Sequence, residues 1–219
     1  MRMTWMGLVL AAVVPLVSVA SAAPGRDDEL SFGGGARALR SASANALTDD
    51  NLGGVAFGYA RELAVLGPDL GVWAEAGTTI DAARGEMFQI MVARLGVVDL
   101  TAGLRVRYAL HRRLSASARV SGGAQRTSVE ISGNGARATD STWGAMVATT
   151  LAVDFLAVAA PRFGLGLRAE LGYVRAQAQS ITLHDDTAST ALQLPLMDAA
   201  LGRLDLSGPT LGVSLISQF

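Results

Sequence analysis

Two histidines are the first residues to ask for chemistry in this chain, which has 219 residues and no cysteine. The lack of Cys excludes a thiolate nucleophile, a thiolate metal site and a disulfide scaffold. His184 opens the run His184-Asp185-Asp186-Thr187, where an imidazole beside carboxylates has the parts of a general base, with Thr187 and Ser189 as the nearest hydroxyls. A single His with neighbouring Asp is a weak catalytic motif and does not complete a coordination sphere, so no metal and no cofactor is expected. His111 is followed by Arg112 and Arg113, which suits a solvated turn. Gly33-Gly34-Gly35 is no phosphate cradle, because no strand-to-helix turn, Lys or hydroxyl follows at the needed spacing; it reads as a place where crowding is relieved or a sheet curves.

The remaining reactive side chains are ionisable residues set singly among Gly, Ser and Thr. They are Arg37, Glu62, Glu75, Arg105, Arg107, Arg119, Asp154, Arg168 and Glu170. Each stands in a stretch where apolar residues recur every second position, and each falls in the opposite phase. Leu104, Val106, Tyr108 and Leu110 alternate with Arg105 and Arg107; Leu165, Leu167, Ala169 and Leu171 alternate with Arg168 and Glu170. A period of two is that of a strand with unlike faces. The elements that position these charges are therefore strands.

Eight such runs are expected. They lie at Glu29 to Arg40, around Val55 to Glu62, at 70–80, from Leu100 to Leu110, from Leu114 to Ser121, at 143–155, at 163–173, and at Leu211 to Phe219. The connections alternate in length. Those around Pro68, Arg112 and Pro161 are tight, and a Pro-Asp pair between alternating runs is a turn because the ring presets φ. The others are long: 41–52, rich in Ser, Ala, Asn and Asp; 81–99, which reads either as strand extension or as a short helix over a mouth; a polar loop around Gly133-Asn134-Gly135; and 179–206, a mixed connection.

Composition points to lipid. Half the residues are apolar and 17% are charged, against about 25% in ordinary soluble domains. Yet no internal window approaches the ~20 consecutive apolar residues of a spanning helix, so membrane contact must be made by strands. A net charge of −1 calls for no nucleic-acid partner. All 18 basic residues are Arg. Residues 1–22, with Arg2, an apolar core from Leu8 to Val17 and Ala20-Ser21-Ala22 at the end, read as a cleaved signal peptide, leaving 23–219 as one barrel domain.

The terminal Phe219, preceded by Leu215, Val213 and Leu211 in one phase, resembles the last strand of bacterial outer-membrane β-barrels. With the eight amphipathic runs, the chain resembles the small barrels of the OmpA membrane-domain, OmpX and OmpW class. The resemblance implies an all-β, eight-stranded antiparallel up-and-down transmembrane barrel in the outer membrane. It also implies that Leu211, Val213, Leu215 and Phe219 form an assembly strand read by the barrel assembly machinery. The apolar face would meet lipid and lipopolysaccharide, with Phe32, Tyr108, Phe155, Phe163 and Phe219 at the periplasmic ends and Phe57, Tyr59, Trp143 and Tyr173 towards the outer ends. The charged residues would form a polar plug inside, since an eight-stranded lumen is just wide enough to be filled by side chains. The expected protein is a monomeric, non-enzymatic barrel serving envelope structure or surface interaction through its long loops. Two alternatives stand beside it: an outer-leaflet lipid-modifying enzyme centred on His184, and a narrow conduit for small or hydrophobic molecules.

Overall fold

A computed structural model describes residues 27–45, 47–48, 51–87, 91–133, 136–185 and 199–219. The signal-peptide reading of 1–22 lies outside these residues, as do Asp186, Thr187 and Ser189. Among the described residues there are ten strands: β1 (Asp28–Ala38), β2 (Asn51–Gly67), β3 (Leu70–Met87), β4 (Met91–His111), β5 (Leu114–Gly133), β6 (Ala136–Ala160), β7 (Phe163–Ala176), β8 (Gln179–Asp185), β9 (Ala199–Leu204) and β10 (Gly208–Gln218). A four-residue helix, α1 (Ala42–Asn45), follows β1.

Eight of the strands close into a ring. Neighbours run β5-β4-β3-β2-β1-β10-β7-β6, and a β5–β6 pairing joins the two ends. The closing stave is the C-terminal one: β10 pairs antiparallel with β1 from Glu29↔Gln218 to Arg37↔Thr210. Two reciprocal backbone bonds, from the Asp28 N–H to the Phe219 carbonyl and back, finish the seam at 3.0 and 2.9 Å. Closure matters because an open edge in hydrocarbon would leave unpaired amides. Tight turns at 68–69, 112–113 and 161–162 mark one end of the barrel, together with both chain ends of the ring.

The seam also accounts for the glycine run. Gly33 and Gly35 point inward, and a Cβ on Gly33 would fall 2.5 Å from the Ser214 Cβ, one on Gly35 2.7 Å from the Leu211 carbonyl oxygen. Side chains at these two places would push β1 off β10.

At the other end one open alternative is decided and two segments depart from the sequence expectation. Segment 81–99 takes the strand-extension alternative over the helix: in its described residues β3 and β4 continue, pairing from Asp81↔Val97 to Met87↔Met91. The described residues of segment 179–206 hold β8 and β9, which pair antiparallel with each other and continue β7 and β10 past short breaks at 177–178 and 205–207, and β8 pairs with β6 at Thr139↔His184. Segment 41–52 holds α1 and the start of β2. Strands β4, β5 and β6, with 21, 20 and 25 residues, are about twice the 9–11 residues a spanning strand needs.

The extra length inverts the barrel's polarity. Within the belt, Leu104, Val106, Val120, Leu151, Val153, Leu171 and Leu211 face outward and are 44% to 64% exposed. Beyond Val97 on β4 and Thr127 on β5 the inward positions become Leu95, Ala93 and Val129, while outward positions become Arg94, Ser128 and Glu130. Leu39, Leu47, Leu52, Leu95, Val97, Val129, Ile181, Leu183, Leu204 and Leu206 then pack as one buried apolar cluster inside the far end. A barrel with an apolar belt outside and ions inside thus continues into one built like an ordinary soluble protein.

Candidate functional site

The ionisable side chains of the ring converge in the lumen because the strand pleat alternates them inward. Near the tight-turn end, Glu29 is the hub. It lies 2.7 Å from Arg105, 2.8 Å from Arg168 and 3.9 Å from Arg107, and accepts a 2.9 Å bond from the Gln218 amide. Arg168 also donates through Nε to Asp154 at 2.6 Å and through Nη2 at 2.9 Å, a two-pronged fit of guanidinium to carboxylate. Arg107 reaches Asp154 at 3.7 Å and donates to Ser115 at 2.9 Å. Trp73, 3% exposed, lies under both Arg105 and Arg107, whose guanidinium carbons are 5.1 and 5.8 Å from its ring centroid.

Midway along, Arg119 bridges Glu75 at 3.1 Å and Glu170 at 3.6 Å. At the far end of the belt, Arg37 is bonded to Asp99 and lies 3.5 Å from Asp81, and Gln125 donates to Asp99 at 2.9 Å. Between the Glu29 layer and the Arg37 layer is a cavity of about 160 Å³, walled by the inward glycines and by Ser121, Thr150, Glu75 and Glu170. Above the Arg37 layer comes the apolar cluster.

Eight of the nine residues expected inside are thus brought together by ion pairs: Arg37, Glu75, Arg105, Arg107, Arg119, Asp154, Arg168 and Glu170. Glu62 faces the same end of the lumen but makes no ion pair within 4.0 Å among the described residues. Sequence reasoning missed Glu29, Asp81 and Asp99, which supply three of the six paired carboxylates. The signal was present: each stands in the inward phase of its own strand, Asp81 with Glu75 and Trp73, Asp99 with Arg105 and Arg107. Two aromatic placements are corrected as well. Phe57 packs on Phe32 at 4.8 Å between ring centroids and Tyr59 bonds Asp28, so both belong to the tight-turn half.

His184 lies on the exposed side of β8, and His111 at the exposed end of β4. No group of three or more His, Asp or Glu among the described residues is placed to hold a metal ion. Leu211, Val213, Leu215 and Phe219 all point out of the barrel.

No family model matches the chain, and no curated protein does. Solved structures do match. Neisserial surface protein A aligns with a TM-score of 0.52 at 10% identity over 89% of this chain and 97% of that one. The outer membrane protease OmpT from Escherichia coli aligns with 0.54 at 8% identity over 92% and 99%. Ail, the attachment invasion locus protein of Yersinia pestis, gives 0.48 at 15% identity over 88% and 98%. At such identities the likeness is one of fold, and the fold is that of the outer-membrane β-barrels.

Proposed function

We propose that this chain is an integral outer-membrane protein whose barrel is a sealed post, without catalytic activity, holding a rigid extracellular extension for contacts at the cell surface. The tight-turn end is the periplasmic one, and the long hairpins face outward, as in barrels of this architecture. The observation that carries the reading is the sequence of fillings along the lumen. An ion-paired layer at Glu29, a second at Arg37 and an apolar cluster from Leu39 to Leu206 follow one another, with a cavity of about 160 Å³ between the two layers.

Each filling has a physical reason. Charges taken out of water are tolerated when paired and hydrogen-bonded, which the Glu29 and Asp154 carboxylates achieve with three guanidiniums. Beyond the bilayer, water replaces lipid outside, so the apolar residues move to the interior. There they stabilise the extension by about 25 cal/mol per Å² removed from water. The apolar interior is packed shut: Leu52, Leu95, Ile181 and Leu206 are at most 1% exposed, which favours a plug over a hydrophobic-ligand route. Assembly of this monomer falls to the barrel assembly machinery acting on the β10 strand and its terminal Phe219.

Single-channel recording in planar bilayers tests the reading. The reconstituted barrel should give no steady current. A stable unit conductance in the wild-type protein would replace the post by a conduit.

A further inference from the structure

The strand extension carries a basic face that the sealed-post reading does not use. Where the apolar belt ends on β3 to β6, the outward positions are Ile80, Val98, Arg126 and Trp143 in one cross-strand row. Four residues further out the row is Arg84, Arg94, Glu130 and Thr139, and Arg137 follows. Arg84 and Arg94 stand directly opposite each other, a like-charge pair that a sheet ordinarily avoids. Arg94 and Arg137 share one carboxylate, Glu130, at 3.4 and 2.7 Å, and remain 59% and 60% exposed. Arg84 and Arg126 have no carboxylate in ion-pair range among the described residues, although Glu86 lies on the same face of β3. The other acid nearby, Asp140, is occupied by the backbone N–H groups of Ser141 and Thr182.

Arg84, Arg94 and Arg137 line a groove together with Gly96, Ser128 and Ser141, and Arg126 reaches its edge at Ser141. Small residues there leave room for a ligand to approach the sheet, and Ser141 Oγ accepts from Arg126 at 3.4 Å. We infer that this face binds the phosphate groups of a lipid in the surrounding outer leaflet, held by Arg84, Arg94, Arg126 and Arg137. Position selects the source. The groove begins one row beyond the Ile80–Trp143 boundary of the belt, at the depth where headgroups meet water, and Trp143 is an interfacial side chain, 54% exposed. Guanidinium is the group suited to phosphate, through charge and paired N–H donors.

The inference rests on the membrane reading above, and the experiment separates the two. Detergent-solubilised full-length barrel is titrated with bisphosphorylated lipid A, with the same lipid stripped of its phosphates, and with inorganic phosphate, following Trp143 emission. The wild type should prefer the phosphorylated lipid by about tenfold or more, the size expected for one or two charge-assisted contacts. Arg84→Gln with Arg94→Gln should lose that preference while keeping the heat-modifiable mobility of a folded barrel. Glu130→Gln, which removes the internal competitor, should bind more tightly. An unchanged preference in the double variant, unchanged or weaker binding in Glu130→Gln, or inorganic phosphate binding as well as the lipid would each overturn the site. Wild-type protein that neither enters vesicles nor shows heat-modifiable mobility would instead overturn the membrane reading.

Discussion

Glu29 stands second in the first strand of the ring and receives three guanidiniums and an amide from β4, β7 and β10. Its contacts span the barrel's diameter, so it ties opposite walls. Removing one partner from a buried, paired set leaves uncompensated charge. Glu29→Ala should therefore lower the unfolding free energy in denaturant by about 3–5 kcal/mol. Arg61 pairs with Asp28 at 4.0 Å on the outside, the two side chains 38% and 26% exposed, and Arg61→Ala should cost no more than about 1 kcal/mol. Equal losses would mean that the interior pairs are not buried as described. The charged residues set among Gly and Ser were readable because the pleat puts their phase opposite Leu and Val. Glu29, Asp81 and Asp99 were not, since they fall where an alternating run starts or gives way to a segment without a clean period, although their phase matches.

At the scale of elements, the closed seam between β1 and β10 depends on the absence of two side chains. Gly33→Val would set its Cβ against Ser214, and Gly67→Ala would meet nothing within 4 Å. The first should abolish the heat-modifiable band on refolding into detergent and the second should leave it intact; a normal band from Gly33→Val would contradict the packed seam. Turn chemistry made the tight connections legible, Pro68-Asp69 and Pro161 among them. From the sequence the extension stays open between strand and helix for β3 and β4, and is missed for β5 and β6, for a physical reason. As a strand leaves the belt, the apolar phase moves from the outward to the inward set, so Leu95, Val97, Val98 and Leu100 crowd together across the switch. A search for one unbroken alternation stops there and cannot choose between strand and helix.

The whole molecule is two environments stacked on one set of strands, and they should fail separately. Ile181 is 1% exposed in the apolar cluster of the extension, and Ile181→Asp would bury an unpaired charge there. Limited proteolysis should then clip the β8–β9 pair while the belt-level barrel stays folded; loss of the whole barrel would show that the two parts form one cooperative unit. The two described tryptophans sit on opposite sides of the wall, Trp73 in the lumen at 3% exposure and Trp143 outside at 54%. Fluorescence in vesicles of brominated lipid reads that difference directly, with Trp143→Phe and Trp73→Phe isolating each indole. Trp143 should be strongly quenched and Trp73 spared. Quenching of Trp73 with Trp143 spared would contradict a barrel that turns its apolar face to lipid and its ion pairs inward.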